Sequence, residues 1–150
     1  MRRMMERAVL VFAGFLAFTL VPSALGYGNG CYSNNLQGTF GFTLTGTRNT
    51  TGANPGPRAA VGQFTVDGSG NLTGSETQSN NGTIVTGVTE TGTVTINADC
   101  SGSATITLKG TGVDTTTRHF NFQILHNSQE IIAIVTDTGF TETIDAKQAD

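Results

Sequence analysis

The chain has no tryptophan, only two histidines, two cysteines and three prolines, and just 13% of its residues are charged. Each shortage excludes a class of function. Without tryptophan, no broad aromatic platform is available to stack on a sugar ring. His119 and His126 are too few to build a metal cluster. There is no Gly-x-Ser-x-Gly elbow for a serine nucleophile, and Gly110-Thr111-Gly112 is not followed by a helix that would hold a phosphate. Asp67-Gly68-Ser69-Gly70-Asn71 opens like a calcium loop. However, Leu72 stands where the sharp-turn glycine belongs and Gln78 where the bidentate glutamate belongs, so the segment reads as a hairpin turn. No motif implies a cofactor or a resident metal.

The first residues have a different character. Arg2, Arg3 and Arg7 precede the apolar stretch Ala8 to Leu20, and Pro22, Ala24 and Gly26 follow it. That order is the pattern of a secretory signal peptide over residues 1–26, cleaved between Gly26 and Tyr27, and its apolar core is shorter than the ~20 residues of a spanning helix. Residues 27–150 then form one domain, with a secreted or periplasmic destination. Beyond residue 26 the strong cations are Arg48, Arg58, Lys109, Arg118 and Lys147, five against ten carboxylates, a formal charge of −5. An acidic chain without a basic run lacks the electrostatic footprint for nucleic acid or for an anionic membrane. In an oxidising compartment the remaining pair of cysteines, Cys31 and Cys100, is expected to form a disulfide.

From Gly38 onward, short runs alternate Thr or Ser with an apolar residue and then break at Gly, Asn, Asp or Ser. Thr39-Phe40-Gly41-Phe42-Thr43-Leu44-Thr45 and Ala104-Thr105-Ile106-Thr107-Leu108 are examples. A period of two places apolar side chains on one face of a strand and hydroxyls on the other. Turn chemistry at Asp67–Asn71, Asn80–Gly82, Asn97–Gly102 and Asn127–Ser128 separates strands at about 39–47, 58–67, 71–79, 83–97, 102–110, 117–126, 130–137 and 140–146. The segment 83–97 is long enough for two strands. Ile84, Val88, Gly92, Val94 and Ile96 share one parity, which favours a single strand. A disulfide agrees, because in an up-and-down meander one strand there brings Cys31 and Cys100 to the same end.

These strands predict an all-β fold: an eight-stranded antiparallel up-and-down barrel, with a two-sheet sandwich as the alternative. Gly62 and Gly74 lie on the apolar parity, as barrel corners or as room for a large opposing side chain. The residues Gly38–Phe42, Phe64–Leu72 and Gly92–Gly102 resemble a group of uncharacterised secreted bacterial proteins with a calycin-like or allene-oxide-cyclase-like barrel. The resemblance implies a fold and a compartment but no activity.

Stepping by two from the buried face leads from Phe40, Phe42 and Leu44 to Arg48, from Phe64 back to Arg58, from Phe120 back to Arg118, and from Leu72 to Glu76. The meander puts the three arginines at the end opposite the disulfide, together with long loops at 47–57 and 110–117. The expected candidate site is therefore a cationic mouth of Arg48, Arg58 and Arg118 over Phe40, Phe42, Phe64, Phe120 and Phe122, with Glu76 as the one inward carboxylate and His126 at the far rim. Such an interior suits a small apolar or amphiphilic ligand carrying an anionic group. Two other readings stand beside it. In one, the arginines merely finish strands, the phenylalanines fill the barrel, and the protein is a non-catalytic extracellular scaffold or surface module. In the weaker one, a barrel cyclase or isomerase uses Glu76 with Arg58 or Arg118 as its acid–base pair.

Overall fold

The computed structural model describes residues 30–31, 36–49, 55–111, 113–125 and 128–150, the side chains of Val113 and Asp114 apart. The expected signal peptide, His126 and the middle of the 47–57 loop lie outside them. Eight strands follow in chain order: β1 (Gly38–Arg48), β2 (Gly56–Val66), β3 (Asn71–Asn80), β4 (Thr83–Ile96), β5 (Ser101–Gly110), β6 (Val113–Leu125), β7 (Glu130–Val135) and β8 (Phe140–Gln148). Each pairs antiparallel with the next, and β8 returns to pair with β1 from Phe40↔Gln148 to Arg48↔Phe140. The sheet is a closed up-and-down barrel, which leaves no strand edge unpaired.

The described turns are made by the residues that suggested them; Asn127 lies outside the described residues. Asp67 Oδ1 accepts hydrogen bonds from the backbone N–H groups of Ser69 and Asn71 at 2.8 Å each, and Gly70 supplies a positive φ of 81°. Asn81 and Gly82 take φ values of 49° and 87°, the pair of left-handed residues that a two-residue hairpin needs. Outside the barrel, threonine hydroxyls meet across strands, as Thr39 does with Thr65 at 2.9 Å.

Inside, phenylalanines sit opposite glycines. Phe42 pairs with Gly62, Phe64 with Gly74 and Phe122 with Gly102. A Cβ added at Gly74 would lie 2.6 Å from Gln63 O and 2.9 Å from Phe64 Cβ, so the bare backbone is what lets the strands coil this tightly. Phe40 and Phe64 stack with ring centroids 5.4 Å apart, and Leu36, ahead of β1, joins the same buried cluster. At that end Cys31 and Cys100 are bonded, with Cα atoms 4.9 Å apart and a sequence separation of 69. The meander and its sulfur pairing thus agree.

Two expectations require correction. Segment 83–96 is one strand, but it carries a bulge: Glu76 pairs with Val88 while Gln78 pairs with Val85, so Thr86 and Gly87 together oppose Thr77. Gly87 takes φ 67°, and the extra residue reverses the parity before it. Ile84, expected on the buried face, is therefore 62% exposed. The second correction concerns the break at 110–117. β6 begins at Val113, with Gly110 paired to Val113, and a second register shift absorbs the extra residue.

Two stability outcomes follow. Gly74→Ala should cost about 1–3 kcal/mol, because the clash is with backbone, whereas Gly41→Ala, whose Cβ would meet nothing within 4 Å, should stay within about 0.5 kcal/mol of wild type. Reducing the disulfide, which closes a loop of 69 residues, should remove about 4 kcal/mol. Urea midpoints with and without reductant measure both.

Candidate functional site

The inward parity of β2, β3, β4, β6 and β8 places Arg58, Gln78, Glu76, Glu90, Arg118 and Glu142 in the half of the barrel away from the disulfide, and all six are buried. Arg48, Arg58 and Arg118 do share that end. Arg58 and Arg118, however, are only 5% and 2% exposed, so they form part of a packed interior rather than an open cationic rim.

Arg58 is held on every side. Its Nη1 donates to Glu142 Oε2 at 2.9 Å and its Nη2 to Glu76 Oε1 at 3.1 Å. Nη2 and Nε also donate to Gln78 Oε1 at 3.0 and 3.2 Å. Asn80 Nδ2 adds a further bond to the same Gln78 oxygen at 3.0 Å. Arg118 is held differently. Its guanidinium lies 3.7 Å from the Phe140 ring centroid, and Arg48 lies over the same ring at 5.2 Å. The buried Nε and Nη1 of Arg118 have no hydrogen-bond acceptor, and Glu142 Oε1 has no donor. Burial lowers the Arg118 pKa to about 10, with Glu142 acting in the opposite direction.

Glu76 is not the only inward carboxylate. Glu90 and Glu142 face the same interior, 5% and 0% exposed. Both were within reach of the parity argument: Glu90 lies between Val88 and Gly92, and Glu142 lies two residues before Ile144 on the strand that ends the ring. Burial raises the Glu76 carboxyl above its ordinary range, although Arg58 pulls the other way. Glu90 goes further, to about 8, through burial first and then the charge of Glu76 and a hydrogen bond to it. Burial and the neighbouring Glu76 carboxylate thus favour the protonated form of Glu90.

The phenylalanines expected to line a ligand chamber fill it. Phe42 and Phe64 are 5.9 Å apart, and Phe40, Phe120 and Phe122 are buried in the same cluster. Among the described residues, two small cavities lie within this interior. One of about 30 Å³ is lined by Phe42, Phe64, Arg58, Glu76 and Glu90 among others. The other, about 40 Å³, is apolar and touches Leu36, Leu72, Phe120 and Phe122. Each is about the volume of one water, far below the several hundred Å³ of a drug-sized pocket. His119 points outward, its Nδ1 2.7 Å from Asp137 Oδ1, and ties the loop after β7 to β6. Among the described residues no three His, Cys, Asp or Glu side chains are grouped to hold a metal ion. Comparison with known proteins returns no matching family model, no matching curated protein and no matching solved structure.

Glu90 makes stability depend on pH with a defined sign. Below the ordinary value of 4.5 the folded and unfolded chains both hold the proton, and stability is greatest. Between 4.5 and about 8 only the folded chain holds it, so stability falls, by at most about 1.4 kcal/mol per pH unit, and then levels off. Glu76, also raised, acts in the same direction. Urea midpoints from pH 5 to 8.5 should fall for the wild type and fall less for Glu90→Gln. Arg58→Met, which leaves Glu76 and Glu142 facing each other unpaired, should cost about 3–5 kcal/mol in the same assay.

Proposed function

We propose that this chain is a secreted, disulfide-tied barrel that binds a small ligand through an anionic group at its arginine end. The observation that carries this reading is Arg118: a guanidinium 2% exposed, one face against Phe140, with Nε and Nη1 buried and lacking an acceptor. A buried donor left unmade costs about 1–3 kcal/mol, and more when charged; a carboxylate or similar anion accepts from such a guanidinium N–H in a strong, charge-assisted bond. The packed phenylalanine layer narrows the ligand class. The group beside the anion is small, and it rests against Phe140 and the barrel end rather than among Phe40, Phe64 and Phe122.

The compartment belongs to the same proposal. The disulfide is consistent with an oxidising extracellular or periplasmic setting. The signal-peptide pattern at 1–26 and the resemblance to secreted calycin-like barrels support the same assignment, and neither points to a nucleic-acid or membrane partner. A second reading, a non-catalytic extracellular module with a solid interior, is favoured by the two cavities of about 30 and 40 Å³.

Calorimetric titration with benzoate at pH 6 separates the two. Under the ligand reading the wild type binds benzoate and Arg118→Met weakens it at least about tenfold, the worth of one charged hydrogen bond. Absence of binding, or equal binding by both proteins, favours the solid module.

A further inference from the structure

β7 breaks the alternation that β1 and β5 keep. Its core sequence, Ile131-Ile132-Ala133-Ile134-Val135, is apolar at every position, so Ile131 and Val135 are buried inside while Ile132 and Ile134 stand on the outer wall, 45% and 50% exposed. A strand that is apolar on both faces is usually covered on both. The two outer isoleucines line a groove of about 430 Å³ on the outside of the barrel, together with Thr43 and Thr45 of β1 and Thr143 and Asp145 of β8. That volume is in the range of a small-molecule site, far above the interior cavities of about 30 and 40 Å³.

The charge in this groove has one sign. Asp145 is its only ionisable lining residue, and among the described residues the carboxylate forms no salt bridge. The strand register shows why. Lys147, the next outward residue of β8, stands opposite Glu130 of β7, whereas Asp145 stands opposite Ile132 on one side and Thr43 on the other, with Val61 of β2 next in the row and 59% exposed. Gln123, across Ile132 on β6, gives its Nε2 to Asp99 O at 3.3 Å, away from Asp145. Aspartate is disfavoured in strands, and opposite an isoleucine it gains no cross-strand ion pair in return.

We propose that this outer groove binds a small aliphatic amine, its ammonium group at Asp145 and its apolar body along Ile132 and Ile134. The charges are complementary: the ammonium supplies the cation that the register withholds from Asp145, and its three donors suit a carboxylate flanked by the hydroxyls of Thr43 and Thr143. An anion would be repelled there. A neutral apolar molecule would cover the carboxylate without pairing it, which costs free energy. The acidic balance of the chain beyond residue 26 draws cations toward it. This site is independent of the arginine end, which faces the interior and carries the opposite charge.

The test is titration with hexylammonium at pH 7, followed through the backbone amide chemical shifts, with hexanol and hexanoate as probes of the same body and different charge. An alkylamine, like a lysine side chain with its pKa of about 10.4, keeps its proton at this pH. Saturable shifts should centre on β7, β8 and β1, with hexanol binding more weakly and hexanoate not at all. Asp145→Asn should raise the hexylammonium Kd about three- to fivefold, the worth of one exposed ion pair, and Ile134→Thr should raise the Kd for hexylammonium and hexanol alike. Both side chains are exposed, so the variants should fold. Arg118→Met should bind hexylammonium as the wild type does. The proposal is overturned by the absence of saturable shifts, by shifts centred elsewhere, by hexanol or hexanoate binding as tightly as hexylammonium, or by an Asp145→Asn protein that binds it unchanged.

Discussion

Closure of the sheet is the constraint on which the rest depends. Once β8 pairs with β1, every second side chain of eight strands must share a bore only wide enough for side chains to fill. Rings on facing strands then cannot all be accommodated unless some opposing positions carry nothing, and Gly62, Gly74 and Gly102 are those positions. The same closure explains why charged residues that would reach water at the rim of an open sheet are enclosed here. Arg58 takes its partners from Glu76, Gln78 and Glu142 because bulk water cannot reach it.

The polar half of the interior adds little stability through its ion pairs. A buried ion pair gains little over apolar residues of the same volume, since the cost of desolvating two charges offsets their attraction. The cluster instead holds an uneven distribution of partners: Arg58 has acceptors on both sides, while Arg118 has an aromatic face and buried donors with nothing to meet.

Much of the architecture was legible because alternation and turn chemistry are local signals. The eight strands, their order and the meeting of Cys31 with Cys100 all follow from period-two runs and the residues between them. Ile84 was misplaced because a bulge one residue long leaves no signature except a glycine, and Gly87 is one among twenty. The arginines were assigned to the correct end but not to the correct depth, since parity fixes direction and says nothing of how far the neighbouring strands extend. Glu90 and Glu142 carried the same parity signal as Glu76. Acidic residues usually face water, and only three-dimensional packing shows both enclosed, Glu142 against Arg58.

β7 is the shortest strand of the ring, six residues between a β6 of thirteen and a β8 of nine. The hydrogen-bond ladders on its two sides are correspondingly brief, and Val135 at its end marks where β6 and β8 continue without it. A ring opens first where its rungs are fewest, so amide exchange with heavy water should be fastest along this strand and slowest beside the sulfur-tied rim. The barrel is in that sense a zipper with one designated seam, which faces the end where Arg118 and Phe140 meet.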